Sequence, residues 1–105
     1  MAGYKIERKE GQCSVFMRGD LTAPLIPDLQ GALKKNLEQG ATEVIFDLDK
    51  AVMLDSSGIG LLIATCNSLG QKKGKIRVLN VSPDIFRLLQ SMRLVSRLNV
   101  SGREG

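Results

Sequence analysis

Apolar and polar residues alternate at the start of the chain. Tyr4, Ile6 and Arg8 interleave with charged residues, and Cys13, Val15 and Met17 repeat the alternation beyond Glu10-Gly11. A period of two marks strands, so two such runs around a turn predict an antiparallel hairpin. Gly19-Asp20-Leu21-Thr22 ends it. The period then lengthens: Ile26, Leu29, Leu33 and Leu37 share one helical face, while Lys34, Lys35 and Glu38 take the other. Pro27 fits only the first turn, which places the helix start near Leu25 or Ile26, and Gly40 is its C-terminal stop.

Val44-Ile45-Phe46-Asp47-Leu48 is short, apolar and β-branched, and predicts a buried strand. A loop from Asp49 to Leu54 follows. Asp55-Ser56-Ser57-Gly58 then opens a second helix, with Ile59, Leu62, Ile63, Cys66 and Leu69 on one face and Leu61 and Ala64 widening it. Ser56 or Ser57 is the expected N-cap. Gly70 and the lysines after it end this helix, where cations suit the dipole. Lys75 to Leu79 predicts a further strand. Ser82-Pro83-Asp84 predicts a helix start, with Ser82 as cap and Ile85, Leu88, Leu89 and Met92 facing inward. Leu94 to Val100 is expected to pack as a last short element, and Ser101 to Gly105 to fray. The order is β-β-α-β-α-β-α with a short final strand. It predicts an α/β fold in which right-handed crossovers build a small sheet with helices on one side.

At 105 residues the chain is expected to form one domain with one core. The sequence has no His, which excludes a Ser–His–Asp triad, a His-based metal site and histidine phosphotransfer. Cys13 and Cys66 form no C-x-x-C pair and read as small buried hydrophobes. No apolar leader segment and no run of membrane-spanning length is present, so a soluble cytoplasmic protein is expected.

The formal net charge of +4 is unevenly placed: residues 1–50 carry seven basic and eight acidic side chains, residues 51–105 eight and three. Lys72, Lys73, Lys75 and Arg77 supply much of the excess. They read as a solvated helix end rather than a basic face for an acidic partner. With aromatics at 4% and no Trp, stacking platforms for nucleic acid are not expected.

Chemistry concentrates in Leu54-Asp55-Ser56-Ser57-Gly58-Ile59-Gly60. No Gly precedes the serines as a nucleophile elbow requires. Gly58 and Gly60 lack the spacing and the Lys of a Walker loop, and a dinucleotide fingerprint lacks its third glycine. What remains is a serine that only caps the helix, or one whose hydroxyl is modified rather than acting. A phosphate near a helix N-terminus costs the fold little and adds roughly −1.5 to −2 charges to the surface.

Asp55-Ser56-Ser57-Gly58-Ile59-Gly60, preceded by Val44–Leu48 and followed by Ile76-Arg77-Val78-Leu79, resembles the STAS domain of bacterial anti-sigma factor antagonists. The match includes Gly19-Asp20-Leu21-Thr22 and Val81-Ser82-Pro83, and spans nearly the whole chain. The resemblance implies a mixed sheet of four or five strands with helices on one side. It also implies a non-enzymatic role. The unmodified antagonist binds an anti-sigma factor that is itself a serine kinase with a histidine-kinase-like fold, and so frees the sigma factor. Phosphorylation of Ser56 ends the interaction, and a metal-dependent serine phosphatase restores it. Asp55 then lies at the partner interface with Gly58, Ile59, Asp20 and Thr22, and Ser57 caps the helix or neighbours the phosphate. The antagonist needs no cofactor and is expected to be a monomer or weak dimer. Two positions depart from the family: Thr22 stands where an Asp is common, and Arg93 where a Gly precedes Leu94. Two other readings compete. One is a constitutive STAS subunit of a lipid-transport ATPase complex, with Ser56 only a cap. The other is a small-ligand or nucleotide-binding module at the helix start.

Overall fold

The computed structural model describes residues 3–103. Its elements are β1 (Tyr4–Lys9), β2 (Gln12–Met17), a 3-10 turn (Ala23–Leu25), α1 (Ile26–Glu38), β3 (Glu43–Asp47), α2 (Ser56–Gly70), β4 (Lys75–Val81), α3 (Pro83–Ser91) and β5 (Val100–Gly102). The five strands form one sheet in sequence order. The β1/β2 hairpin is antiparallel, with Tyr4 opposite Met17 and Lys9 opposite Gln12. Strands β2 to β5 run parallel. The final strand takes in Ser101 and Gly102, where fraying was expected, because Arg103 N–H donates to the Val81 carbonyl at 3.2 Å and continues the pairing. Glu104 and Gly105 lie outside the described residues.

Register explains the one-sided core. Cys13 lies opposite Val44, Val15 opposite Phe46, and these opposite Ile76 and Val78. All six are buried and face the helices. The other sheet face carries Lys5, Glu7, Gln12, Glu43, Asp47 and Arg77, exposed or half-buried, with the Lys5–Glu7 and Arg77–Glu43 ion pairs upon it. On that open face Ile45, in the central strand, is buried. Both cysteines are free thiols: Cys13 is buried and Cys66 half-buried. Burial pushes the Cys13 thiol up from its ordinary value, with nearby Arg8 opposing it. Among the described residues no helix is long and apolar enough to cross a membrane.

The three helices end alike. The Ala41 amide donates to Asn36 and the Gly40 amide to Leu37; Gly74 donates to Leu69 and Lys73 to Gly70; Leu94 donates to Leu89 and Arg93 to Gln90. Each pair is the 6→1, 5→2 pattern that closes a helix through one left-handed residue. That residue is Gly40 at φ 102°, but Lys73 at φ 58° and Arg93 at φ 59°. The second helix ends at Gly70, as expected, and the left-handed residue that closes it is Lys73, three positions on. Arg93 thus occupies a position whose backbone favours glycine.

Ser82 caps α3 as expected, accepting from the Ile85 amide at 3.2 Å. The inward stripe differs from expectation. Ile85 and Leu89 are buried, whereas Leu88 and Met92 are 37% and 45% exposed. The chain turns at Met92-Arg93, so Leu94 and Leu98 complete the contact in their place. Leu89→Ala is therefore expected to cost ~2–5 kcal/mol in urea unfolding, as buried leucine truncations do. Leu88→Ala should stay within about 1 kcal/mol. Equal losses would mean that both leucines are core.

Candidate functional site

The sequence between β3 and α2 folds back on the segment after β2. Leu21 and Leu54 form an isolated parallel bridge, with Leu21 N–H donating to the Met53 carbonyl at 3.3 Å and Asp55 N–H to the Leu21 carbonyl at 3.4 Å. Both leucines are buried, which anchors the two loops to one core. Gly58 completes the contact from the first turn of α2. A Cβ there would overlap the carbonyl oxygen of Leu21, so only glycine lets helix and loop approach this closely.

Two carboxylates fasten the arrangement. Asp55 is the N-cap of α2: its Oδ1 accepts from the Gly58 amide at 2.9 Å and its Oδ2 from the Ala23 amide at 2.8 Å. The serine cap expected from the motif is thus corrected. An Asp one residue earlier reaches the helix amide and still has an oxygen for a second loop, which a serine hydroxyl lacks. The bonds from Gly58 and Ala23 hold the Asp55 carboxyl below its ordinary value of 3.8. Asp20 acts similarly on the next loop, its Oδ1 accepting from Val52 N–H at 2.8 Å and Met53 N–H at 3.0 Å.

Thr22 precedes the 3-10 turn, but its side chain makes no cap bond there; the Asp55 carboxylate takes the Ala23 amide instead. Ser56 is the first residue of α2 and is exposed; Ser57 follows it half-buried. Ile59 is buried in the core behind them. Asp55, Ser56, Ser57, Gly58, Asp20 and Thr22 therefore lie about one corner, at the carboxyl ends of β2 and β3. Ile59 is their internal support.

Three features were not read from the sequence. The first is the second bond of Asp55, to Ala23; it joins residues 32 positions apart, and no local signal reports it. The second is the role of Asp20, likewise long-range. The third is the exposure of Val52 and Met53, 74% and 56%, in a segment read only as loop. A pair of apolar residues just before the motif was the available signal.

Five of the eight basic residues of the second half are engaged by partners within the chain. Lys72 donates to the Leu37 carbonyl at the end of α1, and Lys73 takes the left-handed turn. Arg77 pairs with Glu43, Arg87 with Asp84, and Arg103 with Asp49. Arg97 bonds Asn67. A 410 Å³ groove between α1 and α2, lined by Leu33, Leu37, Leu61 and Thr65, lies away from the motif. Among the described residues no cluster of three metal-ligating side chains forms.

Two outcomes follow from this geometry. Gly58→Ala should lose ~1–3 kcal/mol in urea unfolding through overpacking. Gly60→Ala, which meets nothing, should gain up to ~1 kcal/mol from helix propensity. The same sign for both would contradict the Gly58–Leu21 contact. The acid limb tests Asp55. A carboxyl lowered in the fold contributes stability above its ordinary value, and loses it as pH falls through the lower folded value. Across pH 5 to 2, wild type should therefore lose more stability than Asp55→Asn, with the gap closing below pH 3.8. Parallel curves would mean the charge is not held.

The family model described as STAS domain matches residues 4–104. An anti-sigma-B factor antagonist of Staphylococcus aureus is 28% identical over 87 residues, covering 83% of this chain and 81% of that one. The phosphorylated form of SpoIIAA, a Bacillus cell fate determinant, superposes with a TM-score of 0.79 at 21% identity, over 96% of this chain and 91% of that one. An anti-sigma factor antagonist from Mycobacterium paratuberculosis gives 0.78 at 23% identity, over 92% and 82%. The chain belongs to the STAS domain family.

Proposed function

We propose that this chain is an anti-sigma factor antagonist switched by phosphorylation of Ser56. The observation that carries the reading is the placement of Ser56: an exposed hydroxyl at the first residue of α2, on a corner fixed by Asp55, Gly58 and the Leu21–Leu54 bridge. The name of the Staphylococcus aureus relative and the phosphorylated state of the SpoIIAA neighbour support it.

In its unmodified form the corner docks on an anti-sigma factor, which releases the sigma factor. That anti-sigma factor is also the serine kinase. It supplies ATP and the catalytic groups; the antagonist supplies the hydroxyl, in keeping with a regulatory rather than enzymatic role. Transfer forms the Ser56 Oγ–phosphorus bond, breaks the bond between the γ-phosphorus and the ADP oxygen, and releases the hydroxyl proton to a kinase base. A serine phosphatase hydrolyses the ester and returns the chain to its binding form. The cycle runs in the cytoplasm.

The switch is electrostatic. Phosphate adds roughly −1.5 to −2 charges beside Asp55. Opposite one partner carboxylate ~6 Å away, an effective dielectric of about 20 gives roughly 3 kcal/mol per unit charge before salt screening. That is more than a hundredfold in affinity. The fold itself need not respond, because the helix-start amide of Gly58 is already bonded to Asp55.

The test is capture from native lysate with ADP and magnesium, using wild type and Ser56→Asp as baits. A histidine-kinase-like ATP-binding protein held by wild type and lost with Ser56→Asp is expected. Calorimetry with that protein should show a loss of at least tenfold. A transport ATPase held equally by both baits would instead make Ser56 a structural residue of a transporter subunit. Phosphorylation of Ser56→Ala at this motif would place the acceptor elsewhere.

A further inference from the structure

Val52 and Met53 are large apolar side chains left 74% and 56% exposed, and they stand immediately before the Asp55-Ser56 corner. Exposure of this kind on a mobile loop would mean little. Here the backbone is pinned at both residues, by Asp20 Oδ1 to the two amides and by the Met53 carbonyl to Leu21 N–H. The next residue, Leu54, is buried. The loop is therefore held with one anchor inward and two apolar side chains outward.

We infer that Val52 and Met53 are the apolar contact by which the anti-sigma factor grips this corner, and that Asp20 is the residue that positions them. The inference rests on the antagonist reading above and adds the recognition surface to it. Reach supports the assignment. Three residues span at most ~11 Å and four at most ~14 Å, which bounds the distance of Met53 and Val52 from Ser56. A partner footprint of ~800 Å² has a radius of roughly 16 Å. A protein centred on the Ser56 hydroxyl thus covers both side chains. Its complementary feature is an apolar recess beside the site that receives the hydroxyl. Because the loop backbone is already held, burial of the two side chains orders their rotamers but not the loop, so more of the transfer free energy appears as affinity than on an unpinned loop. Asp20, which the resemblance places at the interface, uses its Oδ1 to hold the loop.

The experiment measures binding of the ATP-binding anti-sigma protein captured by wild type, using calorimetry and surface plasmon resonance. The variants are Val52→Ser with Met53→Gln, Asp20→Ala and Asp20→Asn. The double variant should fold with an unchanged Tm, both side chains being exposed, and bind on the order of tenfold to a hundredfold more weakly. Asp20→Ala should speed hydrogen exchange at the Val52 and Met53 amides and weaken binding several-fold. Asp20→Asn keeps an acceptor oxygen and should preserve both. Wild-type affinity in the double variant overturns the contact. Equal losses in Asp20→Asn and Asp20→Ala overturn the positioning role and make the carboxylate a direct contact. Concentration-dependent dimerisation of wild type that the double variant abolishes overturns the assignment by making a second copy the occupant. If wild type captures no anti-sigma protein, the antagonist reading fails and this inference falls with it.

Discussion

The Asp55 carboxylate shares its two oxygens between two segments far apart in the chain order. Oδ1 closes the first turn of α2 on the Gly58 amide, and Oδ2 holds the Ala23 amide at the head of the 3-10 turn before α1. One anion therefore sets where α2 begins and how the connection after β2 lies against it. The Leu21–Leu54 bridge and the bare Cα of Gly58 depend on that approach, and each supports it in turn. The position of Ser56 follows, since it is the residue between the clamp and the close contact.

This construction separates the exposed hydroxyl of Ser56 from the bonds that hold the fold. A helix start whose amides were open would draw a phosphate inward and reorganise around it. Here a carboxylate already occupies the Gly58 amide, so a phosphate on Ser56 meets like charge at a solvated corner. In high dielectric that repulsion is small for the isolated domain. It becomes large only where a partner excludes water and brings its own groups close. A phosphate at Ser56 would therefore be felt in a complex far more than in the free protein.

What the sequence made legible was what local physics decides. The hairpin follows from a period of two, the buried strand β3 from a β-branched run, and the start of α3 from Ser82-Pro83-Asp84. The site was legible as a segment, because Asp55-Ser56-Ser57-Gly58 is contiguous. Its wiring was not. A serine is as good an N-cap as an aspartate by propensity, and only the position of Ala23, 32 residues away, decides for Asp55. The left-handed conformations of Lys73 and Arg93, beyond the helix ends, were hidden for a similar reason: the turn is imposed by the path back to the sheet, against the preference of the residue. Leu88 and Met92 fit the helical period as well as Ile85 and Leu89 do, but the turn after Ser91 hands the inward contact to Leu94 and Leu98.

The parallel strands give the domain two chemically different ends. Every crossover starts a helix at the carboxyl end of one strand and returns at the amino end of the next. Helix starts thus gather near Ser56, and helix ends gather at the opposite pole. Orphan carbonyls there attract cations, and they are met: Lys72 donates to Leu37, and Arg8 to the carbonyls of Asn36 and Gln39 at the end of α1. Part of the positive charge that a composition count assigns to a hypothetical anionic partner is therefore internal capping. At the other pole, Asp55 and Asp20 hold amides in the same sense with the opposite sign. The corner where the side chains of Ser56, Val52 and Met53 stand exposed takes no part in that capping.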